Sequence, residues 1–336
     1  STHALLRGGV IQLHRWGVRA EVLAHKPSYD QTTFVYGDDA VVVPIRTDDG
    51  LPGLCAPRRT VLDPILAGAA RRAGAEVHHG VTVISVCTDA SGRATGVEIR
   101  DRDGAGVAIG ADLVIGADGA DSLVARAFRA PLVREGRHAS GITYAYCTHY
   151  ETSGNEWHYR PGASAGVIPT GDGLTCVFGA TNADSYQRRF RRGGQARFLE
   201  LLATASPDVA DRAADGGFVG PLRTFAGRRG HVRGATGPGW ALVGDAGCFR
   251  DPVTAHGLTD ALRDAELLAR AVVDGDLAGY GAARDGLGVE VFDLSDAIAA
   301  FDWDLTELSV LLRRLSEAMR PEVELLGALD AAALAV

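Results

Sequence analysis

The apolar positions of the chain follow two rhythms, every second residue in some stretches and every third or fourth in others. The opening residues STHALLRGGVIQLHRWGV read as a loop entering a short helix at Val10–Trp16. Thr32–Tyr36 and Ala40–Ile45 flank Gly37-Asp38-Asp39, a hairpin signal. Thr60–Ala73 predicts a helix: Thr60 can serve as its N-cap, Val61, Ile65, Leu66 and Ala69 share a face, and Gly74 ends it. Strand material is expected at Glu76–Val86, Ala94–Arg102 and Val107–Ile109, with Ser91-Gly92 and Asp103-Gly104 as turns. The run Asp112–Gly116 has the makeup of a buried parallel strand, and a helix around Asp121–Phe128 follows it.

From Gly141 to Thr181 the period is two. Tyr144, Tyr146, Thr148 and Tyr150 fall on one strand face, and Thr143, Ala145, Cys147 and His149 on the other. Trp157-His158-Tyr159, Gly166-Val167-Ile168 and Thr175–Phe178 continue as strands. A helix over Asp184–Ala203 carries Arg188-Arg189-Phe190-Arg191-Arg192, which reads as a solvated face, with an anion patch as the alternative. The last third is helical, at about Leu258–Val273 and through much of Asp276–Arg320, apart from the strand Trp240–Val243. A β-rich block inside an α/β frame predicts the α/β class, with a second domain inserted into a nucleotide-binding one.

With 46% hydrophobic and 23% charged residues, the 336-residue chain can form a sizeable core. Its net charge of −8 argues against a general nucleic-acid binder. Lys26 is the one lysine, a bias that reads more as codon usage than selection and carries little functional weight. Five cysteines without a C-x-x-C spacing suggest neither a disulfide framework nor a metal site, which makes the reducing cytoplasm the expected compartment. No apolar run approaches the ~18 residues of a membrane span, so no stable membrane insertion is expected. No signal peptide is read at the start.

Two glycine–acid motifs carry the chemistry. Asp112-Leu-Val-Ile-Gly116-Ala-Asp118-Gly119 is a strand running into a turn and then a helix. Gly239-Trp-Ala-Leu-Val-Gly244-Asp245-Ala246-Gly247 is another, followed by Pro252 and by Gly257-Leu258-Thr259-Asp260 opening a helix. Each places a carboxylate just past the C-terminal end of a strand, where open α/β sheets bind ligands. Either motif alone could be a plain turn; the two together, in this order, are more specific.

The pair resembles the fingerprints of the FAD-dependent monooxygenases of the p-hydroxybenzoate hydroxylase type, a superfamily shared with geranylgeranyl reductases and flavin halogenases. Arg7-Gly8-Gly9-Val10, Arg59-Thr-Val-Leu-Asp63-Pro-Ile-Leu66 and Gly166-Val-Ile-Pro169 extend the likeness over nearly the whole chain. The resemblance implies a Rossmann-like FAD-binding domain (1–30, 53–135 and 231–285), an interleaved β-sheet substrate domain (31–52 and 136–230) and C-terminal helices (286–336). It implies that Asp245, beside Gly244, holds a ribityl hydroxyl, and that Asp118 and Gly119 lie near the pyrophosphate and the approach of a nicotinamide nucleotide. Arg7 and Arg59 would neutralise phosphate or ribityl oxygens. Pro252 and the helix start Gly257, Leu258 and Thr259 would face the flavin, whose reduced form carries negative charge there.

The family's G-x-G-x-x-G unit is not found among the six residues before Arg7, so it is expected upstream of Ser1 in the full protein, and whether this chain alone binds FAD stays open. Where the family often has Pro-x-x-Gly-x-Gly, this chain has Pro252-Val-Thr-Ala255-His256-Gly257. His256 is thus a candidate catalytic acid or substrate-orienting group, or else a packing or flavin-contacting residue. Tyr144, Tyr146, Trp157 and Tyr159 line either an aromatic substrate pocket or a sheet core. Cys248 reads as a small packing residue.

The function expected from the resemblance is a single-component, NAD(P)H-dependent monooxygenase that uses O2 and a flavin C4a-hydroperoxide to hydroxylate a hydrophobic or aromatic small molecule. A flavin-dependent isoprenoid reductase is the alternative, and a non-catalytic ligand-binding remnant is the reading from another class. A halogenase would need a catalytic lysine and a Trp-x-Trp-x-Ile-Pro motif, and the chain has Lys26 alone and no such motif.

Overall fold

The computed structural model describes residues 4–24, 29–45, 51, 53–100, 104 and 106–329. Lys26, Asp103 of the expected turn and the last two residues of the strand expected over Ala94–Arg102 lie outside them. Helices α1 (Arg7–Arg15) and α2 (Arg19–Leu23) open the chain, and the hairpin β1 (Gln31–Tyr36) and β2 (Asp39–Pro44) follows. Helix α3 (Arg59–Arg72) starts one residue before its expected cap: the extended residue is Arg58, not Thr60. A meander of β3 (Thr82–Thr88), β4 (Ala94–Arg100) and β5 (Gly106–Gly110) leads into β6 (Val114–Gly116), α4 (Leu123–Ala127) and β7 (Leu132–Glu135). Residues 76–81, read as the start of a strand, are irregular.

Next come β8 (Ser140–Cys147), β9 (Asn155–Arg160), β10 (Ala163–Pro169) and β11 (Thr175–Asn182). The single helix expected over Asp184–Ala203 is instead a turn of helix α5 (Ala183–Ser185), a π-turn (Tyr186–Phe190) and α6 (Gly194–Ala205). Gly193 and Gly194, at φ +113° and +58°, break it, because consecutive left-handed residues cannot continue a right-handed helix. Helix α7 (Pro207–Gly216) and strand β12 (Phe218–Phe225) then complete this block. The short strands β13 (His231–Arg233), β14 (Thr236–Gly237), β15 (Trp240–Leu242) and β16 (Cys248–Phe249) precede four helices: α8 (Gly257–Asp274), α9 (Leu277–Ala299), α10 (Leu305–Ala318) and α11 (Arg320–Ala328).

The largest sheet has the order β12-β8-β11-β10-β9-β1-β2, with β1 and β9 parallel and its other pairs antiparallel. Period-two alternation splits it into two apolar faces. Ala145, Ala165, Val167 and Val177 pack against Phe198 of α6 and Val209 of α7. Ile142, Ile168 and Phe178, with Tyr144, Tyr146 and Trp157, pack against α9 and α10 through Val291, Ile298, Leu308 and Leu315. Tyr150 departs from the face expected of it and joins the α6 side. Strand β8 ends at Cys147, and His149 at φ +52° turns the chain over before the next side chain. The fold is α/β, with the seven-stranded sheet interleaved among smaller sheets and helices and a helical C-terminus. Among the described residues no helix is long and apolar enough to cross a membrane.

Candidate functional site

The two glycine–acid motifs meet because their strands are neighbours. Strands β6 and β15 pair in parallel with Gly116 opposite Leu242, so both chains leave the same sheet edge side by side. The motifs then diverge in what they do. Asp118 is exposed, and its Oδ2 accepts from Leu123 N–H at 2.6 Å, so the carboxylate caps the start of α4. Gly119 beside it faces open space. Asp121 forms a two-pronged pair with Arg228, both contacts at 2.7 Å, and this hydrogen bonding holds its carboxyl below the ordinary range. Arg233 ties the turns together, donating to the Ala246 carbonyl at 2.8 Å and the Ala120 carbonyl at 3.2 Å.

Asp245 is partly buried against the start of α8: a Cβ built on Gly257 would lie 3.6 Å from its Oδ1. Burial raises its carboxyl to about 6, reinforced by the charge of Asp260, while Arg250 and Arg59 pull the other way. Gly244 N–H donates to Asp264 Oδ2 at 3.0 Å, which fixes the turn from beneath. The His256 side chain does not cap α8, and among the described residues no side chain takes up the first-turn donors at the exposed Gly257 and half-buried Leu258. Thr259 is buried, and its Oγ1 accepts from Leu6 N–H at 3.3 Å. It packs where a Cβ on Gly9 would come within 3.1 Å, so the glycines after Arg7 serve the close contact of α1 with α8. Arg7 donates to the Leu51 carbonyl at 3.4 Å, and the exposed Arg59 donates to Asp63 at 2.5 Å.

His256 precedes α8 and is 2% exposed. Its Nε2 lies 2.9 Å from Glu322 Oε2, a residue of α11 that lies in the space left by Gly8, and 3.6 Å from Asp260 Oδ1. Around this pair stands a buried ionic network. Asp260 bonds Arg250 and lies 2.8 Å from Arg263, Arg263 also bonds Asp264 at 2.7 Å, and its Nη1 lies 3.7 Å from Glu322. Burial alone would raise Asp260, and the two guanidiniums outweigh it and hold it below the ordinary range. His256, Asp260 and Glu322 present ligand-type atoms within 4.8 Å of one another, with the opposing positive charge supplied by Arg250 and Arg263.

The turn from Pro252 to His256 is held by Asp251, which accepts from Ser140 N–H at 2.7 Å, Ser140 Oγ at 2.6 Å and Val253 N–H at 2.9 Å. That carboxylate joins the head of β8 to the turn. Ala255 occupies the left-handed region, φ +55° and ψ +26°, where the family pattern has glycine. Val253 and Ala255 belong to the same apolar cluster as Tyr144, Tyr146, Trp157 and Tyr159. Tyr159 is a core residue, its ring 6.2 Å from Trp303 and 5.8 Å from Tyr36. The other three rings are half-buried: Trp157 packs edge-on to Phe178 at 5.3 Å, and the Arg58 guanidinium lies 5.0 Å over Tyr146. Burial raises the Tyr146 hydroxyl to about 12.

Thus Gly244, Asp245, Pro252, His256 and Gly257–Thr259 converge on one turn-and-helix start, Arg59 acts on Asp245 through its field, and Asp118 with Gly119 occupies the adjoining strand end. Arg250, Asp251, Asp260, Arg263, Asp264 and Glu322 were not anticipated. The i, i+4 spacing of Asp260 and Asp264 with Arg263 between them was the available signal; nothing near Glu322 in sequence points to its partner 66 residues away.

The family profile described as FAD binding domain matches residues 9–274. The chain belongs to this family. Two curated relatives are similar over part of their length. A menaquinone reductase of Mycolicibacterium smegmatis is 27% identical over 240 residues, 67% of this chain. A digeranylgeranylglycerophospholipid reductase of Methanothrix thermoacetophila is 31% identical over 243 residues, 65% of this chain. In each, the match covers 55% of the relative, so the chain spans about half the length of these proteins. Among solved structures, the "probable FAD-dependent monooxygenase" PqsL of Pseudomonas aeruginosa has the same fold, with a TM-score of 0.74 at 17% identity over 93% of this chain and 89% of that one.

Proposed function

We propose that this chain forms the flavin-holding part of an FAD-dependent oxidoreductase, with an NAD(P)H-dependent monooxygenase acting on a hydrophobic or aromatic small molecule as the leading reading. The observation that carries it is the junction of Asp245 with the α8 start, where among the described residues no side chain takes up the first-turn donors and glycine leaves the approach open. That junction suits a flavin: an acceptor for a ribityl hydroxyl stands beside oriented N–H groups that favour negative charge. Bound FAD would supply two-electron transfer and the activation of dioxygen.

The chain's own part is binding, orientation and exclusion of water. Asp245, Gly257 and Leu258 would hold the flavin end, with Arg59 and Arg7 balancing charge and Asp118 and Gly119 at the strand end next to it. Pro252 and Ala255 shape the wall, and His256, fastened to Glu322, acts here as a positioning residue. The half-buried rings Tyr144, Tyr146 and Trp157 give the substrate an apolar flank that keeps water away, and Tyr159 supports them from the core.

The reductase names of both curated relatives favour, as a second reading, a flavin-dependent reductase of an isoprenoid alkene. Oxygen uptake decides between them. With FAD, NAD(P)H and a bound substrate, O2 consumption matched by hydroxylated product supports the monooxygenase. Substrate-dependent NAD(P)H oxidation under anaerobic conditions supports the reductase. Full FAD affinity in an Asp245→Ala protein would defeat the assignment of the site itself.

A further inference from the structure

The break in the helix expected over Asp184–Ala203 leaves a notch on the surface. The π-turn Tyr186–Phe190 and the start of α6 border an open surface notch of about 320 Å³ lined by the exposed Gln187, Arg188, Arg189, Arg191, Arg192 and Arg197. Two of its five guanidiniums bond a carboxylate, Glu200 in both cases. Arg189 bonds Glu200 at 2.9 Å, Arg197 bonds the same Glu200, and Arg191 donates to the Gln187 amide oxygen at 2.8 Å. Arg188 and Arg192 have no hydrogen bond or ion pair among the described residues.

Three features of this notch point the same way. Helix α6, twelve residues long, has no side-chain cap and no acidic residue in its first turn, so its positive end stands open. Arg197 adds a cation at that end, where a carboxylate would ordinarily be favourable. A Cβ on Gly193 would meet Arg197 Cγ at 2.5 Å, so the glycine is what lets the arginine fold back over the break. In a chain of net charge −8, these five exposed guanidiniums make a locally positive patch that attracts anions. Guanidinium forks and backbone N–H groups are together the recognition chemistry of phosphate.

We propose that this notch binds a phosphate-bearing anion, a phosphate monoester or pyrophosphate group. The site is independent of the flavin reading. Helix α6 packs through Phe198 and Leu202 on the sheet face opposite Tyr144, Tyr146 and Trp157, so the notch belongs to a different layer from Asp245 and α8. The phosphate can come from a soluble metabolite or from a lipid headgroup, and the experiment separates the two.

The test is calorimetric titration of the full chain with inorganic pyrophosphate, at about 50 mM and about 500 mM KCl, together with sedimentation on phosphatidylglycerol and phosphatidylcholine vesicles. The paired variant Arg188→Ala/Arg192→Ala removes two side chains that hold nothing in the fold, and circular dichroism confirms that it remains folded. Saturable pyrophosphate binding that weakens at least about tenfold in the variant and in high salt supports the site. Added co-sedimentation with phosphatidylglycerol but not phosphatidylcholine, lost in the variant, assigns the phosphate to a headgroup; pyrophosphate binding without it assigns a soluble anion. Failure to bind either probe, or binding unchanged in the variant, overturns the proposal.

Discussion

Replacing Asp245 by asparagine should make the cofactor-free protein more stable and its flavin site worse. The carboxyl is raised to about 6, chiefly by burial and then by Asp260, so ionising it in the folded chain is harder than in the unfolded chain. The folded state therefore holds the proton more tightly. Its contribution to stability is complete below about pH 4, the unfolded value, and is lost as pH rises through about 6. Two pKa units correspond to about 3 kcal/mol at 1.36 kcal/mol per unit. The group is partly exposed, and solvent screening reduces the expected effect to about 1–3 kcal/mol. Asparagine keeps the shape and does not titrate. In urea unfolding at a series of pH values, variant and parent should agree near pH 4, and the variant should lead by about 1–3 kcal/mol above pH 7. FAD titrated into the same two proteins should bind the variant at least about tenfold more weakly, because one charged acceptor is worth about 1.5–3 kcal/mol. A constant stability difference across pH would refute the burial argument. A stabilised variant with unchanged FAD affinity would show that the carboxylate is kept for something other than the flavin.

The remaining predictions concern how the site is held. Ala255→Gly removes an alanine from left-handed backbone, a conformation that costs about 1–2 kcal/mol, and forfeits a buried methyl worth about 0.8 kcal/mol; a gain of up to about 1 kcal/mol in urea unfolding is expected, and a clear loss would contradict it. Glu322→Ala leaves His256 and part of the Arg263 charge buried without their partner and should lower stability by about 3 kcal/mol or more; thermal unfolding indistinguishable from the parent's would remove Glu322 from the network. Gly9→Ala brings a methyl to 2.8 Å from Leu5 Cδ2 and 3.1 Å from Thr259 Oγ1, so a loss of about 1–3 kcal/mol is expected, and full stability would mean that α1 and α8 can part without cost.

The features legible in the sequence are those whose cause is local. Alternation along β8 to β11 sorts side chains onto two faces because the strand period is two, and Gly37 sits in the turn that closes the first hairpin. The two glycine–acid motifs name their own strand ends, and their adjacency followed from the rule that open sheets gather such ends at one edge. What lay outside the sequence depends on which distant surfaces dock. That Asp118 also accepts the Leu123 N–H at the start of α4 was visible only in the fold, and the face of Tyr150 was set by a single left-handed residue, His149. The surroundings of His256 were decided by α11, which sets Glu322 against it and closes the buried network of Arg250, Asp260, Arg263 and Asp264. Burying so many charges is tolerable only when each finds its partner, and partners from the end of β16, from α8 and from α11 are brought within reach only by the packing of the whole chain.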